Sequence, residues 1–412
     1  MSNILIKNIQ ALFQCGENFP AFLKGKEMDN VPQIQNAFVL IENGLIKDYG
    51  SMKDAPSMFH ETNIFETIDA NGKFVLPCFI DSHTHIVFAK YREEEFVDRI
   101  NGLSYEDIAK KGGGILNSAQ KLASSSEEFL FNFSMERINL IKKYGTGAVE
   151  IKSGYGLSPD AEIKMLRVIK KIKEKSTLDV KATFLGAHAI PLEYKNNTEK
   201  YVDLIIEKML PIVAEEQLAD FVDVFCERNY FSVKQMEKIL IATDKVGLRS
   251  KVHVNQFSSL GGIQKAVELK SLSVDHLEVM ENEDYQALKR SNTIATLLPA
   301  CSYFINIPYA NAKKFLKKDI PFCLASDFNP GSTPTGNMQF VMSLACTQMK
   351  LTPEQALNAM TINAAYSMGL QNELGTISKG KKAKLILTNS IPSLAYIPYA
   401  FGQNHIENTI GF

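Results

Sequence analysis

Between about Leu76 and Leu370, eight short apolar runs alternate with stretches of helical periodicity, and this alternation leaves few folds open to the chain. The runs cover 79–81, 148–151, 182–185, 221–225, 251–254, 272–275, 294–298 and 321–325. Ser158 and Pro159 supply an N-cap and a first-turn proline ahead of Ile163, Leu166, Ile169 and Ile172 at helical spacing. Thr352-Pro353-Glu354-Gln355 forms a capping-box pattern ahead of Ala356, Leu357 and Met360. Eight such alternations predict an α/β chain built on a (β/α)₈ TIM-type barrel, in which chemistry sits at the C-terminal ends of the strands.

The flanks read differently. Ile4, Ile6 and Ile9 interleave with polar residues, and 37–41 and 45–49 flank Asn43-Gly44, a pair favoured in type I′ hairpins. A further short strand pair is expected around Asn71-Gly72, and strand texture returns at 375–377 and 384–387. Neither flank carries enough apolar residues for a core of its own. We therefore expect residues 1–75 and 373–412 to form one small β-sandwich-like domain beside a barrel spanning 76–372.

Composition narrows the class. A formal net charge of -1 argues against nucleic-acid or membrane-surface partners held by bulk electrostatics. Lys170, Lys171, Lys173 and Lys175 alternate with apolar residues and read as the solvated face of a helix. The six cysteines are scattered without a C-x-x-C pair, which suits free thiols in a reducing compartment. There is no basic region ahead of an apolar run at the N-terminus, and no apolar stretch of about 18 residues. The expectation is a cytoplasmic protein without a membrane partner.

Four histidines fall at or just beyond proposed strand ends, two of them on the first strand, in Asp81-Ser82-His83-Thr84-His85. In extended backbone, residues i and i+2 share a face, so His83 and His85 can reach one ion at about 2.0–2.1 Å. A lone H-x-H is weak. With His253 on strand five, His276 after strand six and Asp327 after strand eight, the constellation is strong. Such a set suits hydrolysis of a cyclic amide, a poor electrophile facing a poor nucleophile. A bound divalent ion lowers the pKa of its water from 15.7 to about 7 and polarises the carbonyl. A carboxylate such as Asp327 can then move the proton to the leaving nitrogen.

At these residues the chain resembles the amidohydrolase superfamily. Within it, several stretches are similar to the imidazolonepropionase family: Phe79 to His85, Arg92 with Glu94-Glu95-Phe96, Gly112-Gly113-Gly114-Ile115, Glu150 to Gly156, Phe184 to His188, and Ala325 to Gly331. The resemblance implies hydrolysis of 4-imidazolone-5-propanoate to N-formimidoyl-glutamate with one Zn²⁺ or Fe³⁺ per chain, in a homodimer. It implies His83, His85, His253 and Asp327 as metal ligands, with His276 off the metal and assisting Asp327 in catalysis. A second ion would need a bridging lysine after strand four. That end reads Phe225-Cys226-Glu227-Arg228, so one ion is expected, with Glu227 the sole alternative anchor.

Substrate contacts are expected from Arg92, Tyr155, His188, Gln256, Asn329, Gly331 and Ser332. Arg92 can clamp a carboxylate in two-pronged fashion. Its bland alternative is a surface ion pair with Glu93, Glu94 or Glu95. Gly112 to Gly114 reads as a flap or a helix junction, and Tyr105 as a contact or a core residue. Lys152 reads as a barrel ion-pair partner, and His60 and His405 as structural. Two positions depart from the family. Cys78 stands where glycine is frequent, as a packing change or an exposed thiol. Gln256 stands where a relative can carry glutamate, and an amide cannot shuttle a proton. Rival readings are a deaminase acting on an uncharged ring and a barrel that has lost its catalysis.

Overall fold

The computed structural model describes residues 3–56, 66–103, 107, 111 and 113–412. His60, Tyr105 and Gly112 lie outside them. Seven strands form the small sheet: β1 (Ile4–Phe13), β2 (Gln33–Glu42), β3 (Leu45–Ser51), β4 (Glu66–Asp69), β5 (Phe74–Pro77), β14 (Leu385–Thr388) and β15 (Ile406–Ile410). Their order is β15-β14-β5-β1-β2-β3, with β4 also on β1, so both ends of the chain interleave in one sheet. Ile6, Ile9, Leu12, Val39, Ile41, Val75, Leu385 and Leu387 fill its core. Asn43 and Gly44 both take positive φ, 54° and 79°, and close the β2–β3 hairpin as the Asn-Gly pair predicts.

The strands around Asn71-Gly72 depart from expectation. β4 and β5 do not pair with each other; both run parallel to β1, at Ile4–Lys7 and at Ala11–Leu12. A bulge between Ile6 and Ile9, with Asn8 at φ 55°, divides β1 into these two stretches. Of the 375–377 segment, Ile377 makes a single bridge to Cys15.

The eight barrel strands fall where the apolar runs place them: β6 (Phe79–Thr84), β7 (Thr146–Lys152), β8 (Asp179–Ala187), β9 (Phe221–Cys226), β10 (Arg249–Val254), β11 (Ser273–His276), β12 (Ile294–Leu297) and β13 (Phe322–Leu324). Each is parallel to the next, from β6 through β13. Closure comes after β13 ends. The Asp327 N–H donates to His83 O at 3.0 Å, and the His85 N–H donates to Phe328 O at 2.8 Å. Helices cover the outside, as in Pro159–Lys175, which buries Ile163, Leu166, Ile169 and Ile172 and exposes Lys170, Lys171, Lys173 and Lys175. The Thr352–Gln355 capping box is formed. Among the described residues no helix is long and apolar enough to cross a membrane.

Cys78 links the two parts. Its N–H donates to Lys384 O at 2.9 Å, and its side chain is fully buried against Gly147 of β7. Burial pushes the thiol up to about 12, so the packing reading of Cys78 stands and the exposed-thiol reading falls. A Cβ on Gly147 would lie 2.5 Å from the Cys78 Cβ and Sγ. Gly147→Ala should therefore destabilise the protein by about 1–3 kcal/mol through overpacking. Adding Cys78→Gly should recover most of that loss. Thermal and urea unfolding of the three variants check this; equal loss in the single and double variants would show that the clash is relieved elsewhere.

Candidate metal centre

The period of two at the end of β6 puts His83 and His85 on one side of the strand, where they meet His253 from β10. One ligand atom from each of the three lies within 4.8 Å of the others, and all three residues are buried. Each ring is oriented through its Nδ1. His83 Nδ1 donates to Asp275 at 2.7 Å and His253 Nδ1 to Asp223 at 2.9 Å, while His85 Nδ1 faces Ser153 O at 3.4 Å. A carboxylate or carbonyl can only accept, so the protons sit on Nδ1 and the Nε2 lone pairs face inward.

Two consequences test the fit to a cation. His85 Nε2 and His253 Nε2 stand 3.4 Å apart with no proton between them, which is repulsive unless a positive centre shares their lone pairs. His83 Nε2 is fully buried without a hydrogen-bond partner. Asp327 Oδ1 lies 3.6 Å from His83 Nε2 and 3.7 Å from His85 Nε2, adding an anionic oxygen to the same centre. Burial, reinforced by Lys152 and by the neighbouring imidazoles, holds His83 and His85 well below the usual imidazole range, in the neutral form that a ligand needs. This donor set fits a metal ion.

Under the histidines lies a buried charged layer. Lys152 Nζ reaches Glu150 at 2.7 Å, Asp223 at 2.8 Å and Asp275 at 3.4 Å. Lys251 pairs with Glu150 and donates to Ser82 O at 3.2 Å. Burial works against charge on Lys152, Asp223 and Asp275, yet the attraction of their neighbours prevails. Asp275 is held at about 2 by Lys152 and Lys251, Asp223 lies well below its usual range beside His253 and Lys152, and Lys152 is raised. Lys152 is thus a barrel ion-pair partner, as its position suggests.

Asp327 takes φ 58°, and its own loop braces it. Asn329 donates to Asp327 O at 2.7 Å, and its Oδ1 accepts from the Gly331 and Ser332 N–H groups at 2.8 Å each. The Ser332 hydroxyl donates to Asp327 Oδ2 at 3.2 Å. Asn329, Gly331 and Ser332 therefore direct these hydrogen bonds at one another and at the aspartate. Burial raises the Asp327 carboxyl above its ordinary value.

Arg92 keeps one partner of the ion-pair alternative, Glu95, but the pair is buried instead of lying at the surface. Its side chain is 8% exposed, and it donates through Nε to Ser118 at 3.0 Å with Glu95 at 3.7 Å. Exposed Glu94 pairs with Lys90 instead. The guanidinium covers Gly331, where a Cβ would lie 2.5 Å from it, and stands 5.8 Å from the Tyr155 ring. Tyr155 is 5.9 Å from the His85 ring, and His188 stacks on His85 at 5.2 Å. His188 Nδ1 donates to Gly154 O at 2.9 Å, and burial beside His253 lowers the ring to about 3. Glu95 accepts from the Gly114 N–H at 2.8 Å, so Gly113 and Gly114 open a helix, Gly114–Ser124, tied to the Arg92 turn.

Gln256 is buried and donates weakly to Cys301 Sγ at 3.6 Å. His276 stands with its ring 5.4 Å from His253 and 5.6 Å from His83. Burial opposes its charge, but Glu278, then Asp327 and Asp275, raise it. Glu227 accepts from Arg228 N, Phe257 N, Ser258 N and the Ser258 hydroxyl, so both its oxygens anchor the loop after β10. His405 is buried and bonded to Gln339 and Ala400, a structural role. Sequence reasoning missed Asp223, Asp275, Lys251, Cys301 and Glu278. The legible sign was charge inside otherwise apolar strands, as in Phe221-Val222-Asp223-Val224-Phe225.

The Amidohydrolase family model matches residues 74–410. Curated imidazolonepropionases are similar over nearly the whole length. That of Flavobacterium johnsoniae is 55% identical, covering 98% of both chains, and that of Christiangramia forsetii is 54% identical with the same coverage. That of Clostridium tetani is 41% identical, covering 99% of this chain and 96% of its own. Among solved structures, E. coli guanine deaminase superposes with a TM-score of 0.75 at 13% identity, covering 100% of this chain and 97% of its own. The 5-methylcytosine deaminase of Klebsiella pneumoniae gives 0.72 at 15%, covering 98% and 95%. At those identities the likeness concerns the fold.

Groups that orient metal-binding imidazoles typically contribute ten- to a hundredfold in metal affinity. Asp223→Asn and Asp275→Asn should each weaken zinc binding by about that factor, measured by competition with a chromophoric chelator. Ser118→Ala, which removes the hydroxyl that accepts from Arg92 Nε, should leave the affinity unchanged. Unaltered affinity in both aspartate variants would mean that the Nδ1 contacts do not orient the rings.

Proposed function

We propose, because this chain belongs to the imidazolonepropionase family of amidohydrolases, that it adds water to the ring amide of 4-imidazolone-5-propanoate and releases N-formimidoyl-glutamate, a step of histidine degradation. The observation that carries the substrate is the Arg92 guanidinium, buried at the mouth that holds the histidine cluster. A buried guanidinium there suits an anionic tail and has no task toward an uncharged base.

One Zn²⁺ or Fe³⁺ would be held by His83, His85, His253 and Asp327, and when bound it would polarise the ring carbonyl and render water more acidic. Arg92 takes the propanoate carboxylate, and Tyr155 with His188 frames the ring. His188, donating through Nδ1 to Gly154 O, presents Nε2 as an acceptor for a ring N–H. Asp327 accepts the proton of the attacking water and returns it to the ring nitrogen as the C–N bond breaks. His276 assists at the carbonyl oxygen. Gln256 positions and carries no proton.

Loss of the imidazolone ultraviolet absorbance on adding purified, metal-loaded protein tests the reaction. Wild type should strongly prefer the acid over an analogue whose carboxylate is a neutral amide. Arg92→Ala should treat the two nearly alike, losing about ten- to a hundredfold or more in kcat/KM for the acid, as a lost charge-assisted pair implies. A wild type without preference for the acid would overturn the substrate assignment. Asp327→Asn should lower kcat at least about a hundredfold, and Gln256→Ala much less; equal losses would reassign the proton transfer.

A further inference from the structure

Among the buried acids of the site with no part in that account is Glu278. Glu278 lies just beyond β11, and its side chain is 1% exposed. A carboxylate out of water needs a cation or donors around it. Among the described residues its only ion-pair contact within 4.0 Å is the imidazole of His276, with Nδ1 3.6 Å from Oε1; the Ser302 hydroxyl donates to the same oxygen at 3.3 Å. Glu278 Oε2 and His276 Nδ1 are each buried without a hydrogen-bond partner.

The backbone that makes this pairing is strained. His276 and Leu277 take φ values of 91° and 68°, two successive non-glycine residues in a region that side chains disfavour. Hydrogen bonds from Leu277 N to Val254 O (3.3 Å) and from Val279 N to Asn255 O (2.9 Å) pin this turn to the end of β10. The turn brings a carboxylate two residues on back to the Nδ1 edge of the imidazole, whose other nitrogen is Nε2. Strain held by the surrounding structure at a site commonly serves positioning.

We propose that Glu278 is a positioning residue for the hydrolysis: it holds His276 through Nδ1, so that Nε2 is the atom presented to the substrate carbonyl. The inference rests on the proposed reaction. Contacts of this kind are often slightly long before substrate binds and tighten in the complex, in keeping with 3.6 Å. Because it acts through His276, its removal affects the chemical step more than substrate binding.

The test is steady-state hydrolysis of imidazolonepropanoate by metal-loaded wild type and variants, with metal content and melting temperature measured alongside. Glu278→Ala should lower kcat by about tenfold or more, with KM within about threefold. Glu278→Gln keeps an acceptor oxygen at the same reach and should restore kcat to within about threefold of wild type. Glu278→Asp keeps the charge but shortens the reach, and should behave like the alanine variant even if Glu278→Ala fails to fold. In a His276→Ala background, Glu278→Asp should change kcat by less than about twofold. A full additional loss in that background, or a Gln variant as poor as Asp, would overturn the positioning role. A wild type inert toward imidazolonepropanoate would overturn the proposed reaction, and this role with it.

Discussion

One ammonium group sets the geometry from which the site is built. Lys152 stands inside the barrel among Glu150, Asp223 and Asp275, and the last two orient the imidazoles of His253 and His83. Each carboxylate alone would face a large desolvation cost and would tend to protonate. With cationic neighbours beside them, Asp223 and Asp275 remain anionic acceptors, which fixes the protons on the Nδ1 atoms of His253 and His83 and aims their lone pairs at one centre. The barrel thus places its charged layer directly under its chemistry.

The loops above that layer carry the remaining candidate groups. Asp327 is braced by Asn329 and Ser332, while Gly331 leaves room for the Arg92 guanidinium to lie over the same turn. Glu95 ties that arginine's helix to the start of the next one at Gly114. Arg92 and Asp327 therefore meet at one short loop, so a shift in either is felt by the other. This proximity supports reading the site as built for a ring with an acidic tail.

Much of this was legible in the residue pattern. The alternation of apolar runs and helices located all eight barrel strands, because strands buried on both faces stand out against helical spacing. His83, His85, His253 and His276 were visible because a strand end can be located from the sequence alone. The partners of β4 and β5 were not, since periodicity says which residues face a core but not which strand lies alongside. Asp223 and Asp275 read as ordinary polar positions until the barrel brought Lys152 between them. The proposed task of Glu278 depends on two positive φ angles, which no local pattern at His276 and Leu277 announces. Asn329, Gly331 and Ser332 also hydrogen-bond within their own loop, something that residue type does not disclose.

Among the described residues no disulfide clasps the barrel. Its last seam, between β6 and the chain beyond β13, is drawn shut by hydrogen bonds to His83 O and from His85 N. Those same residues, with Asp327, face the metal-type centre. Closing the cylinder and assembling that centre are thus one event, and an ion that binds only the closed form would shift the opening equilibrium by mass action. Metal supply in the cell would then govern how long each molecule survives proteolysis as well as how fast it works.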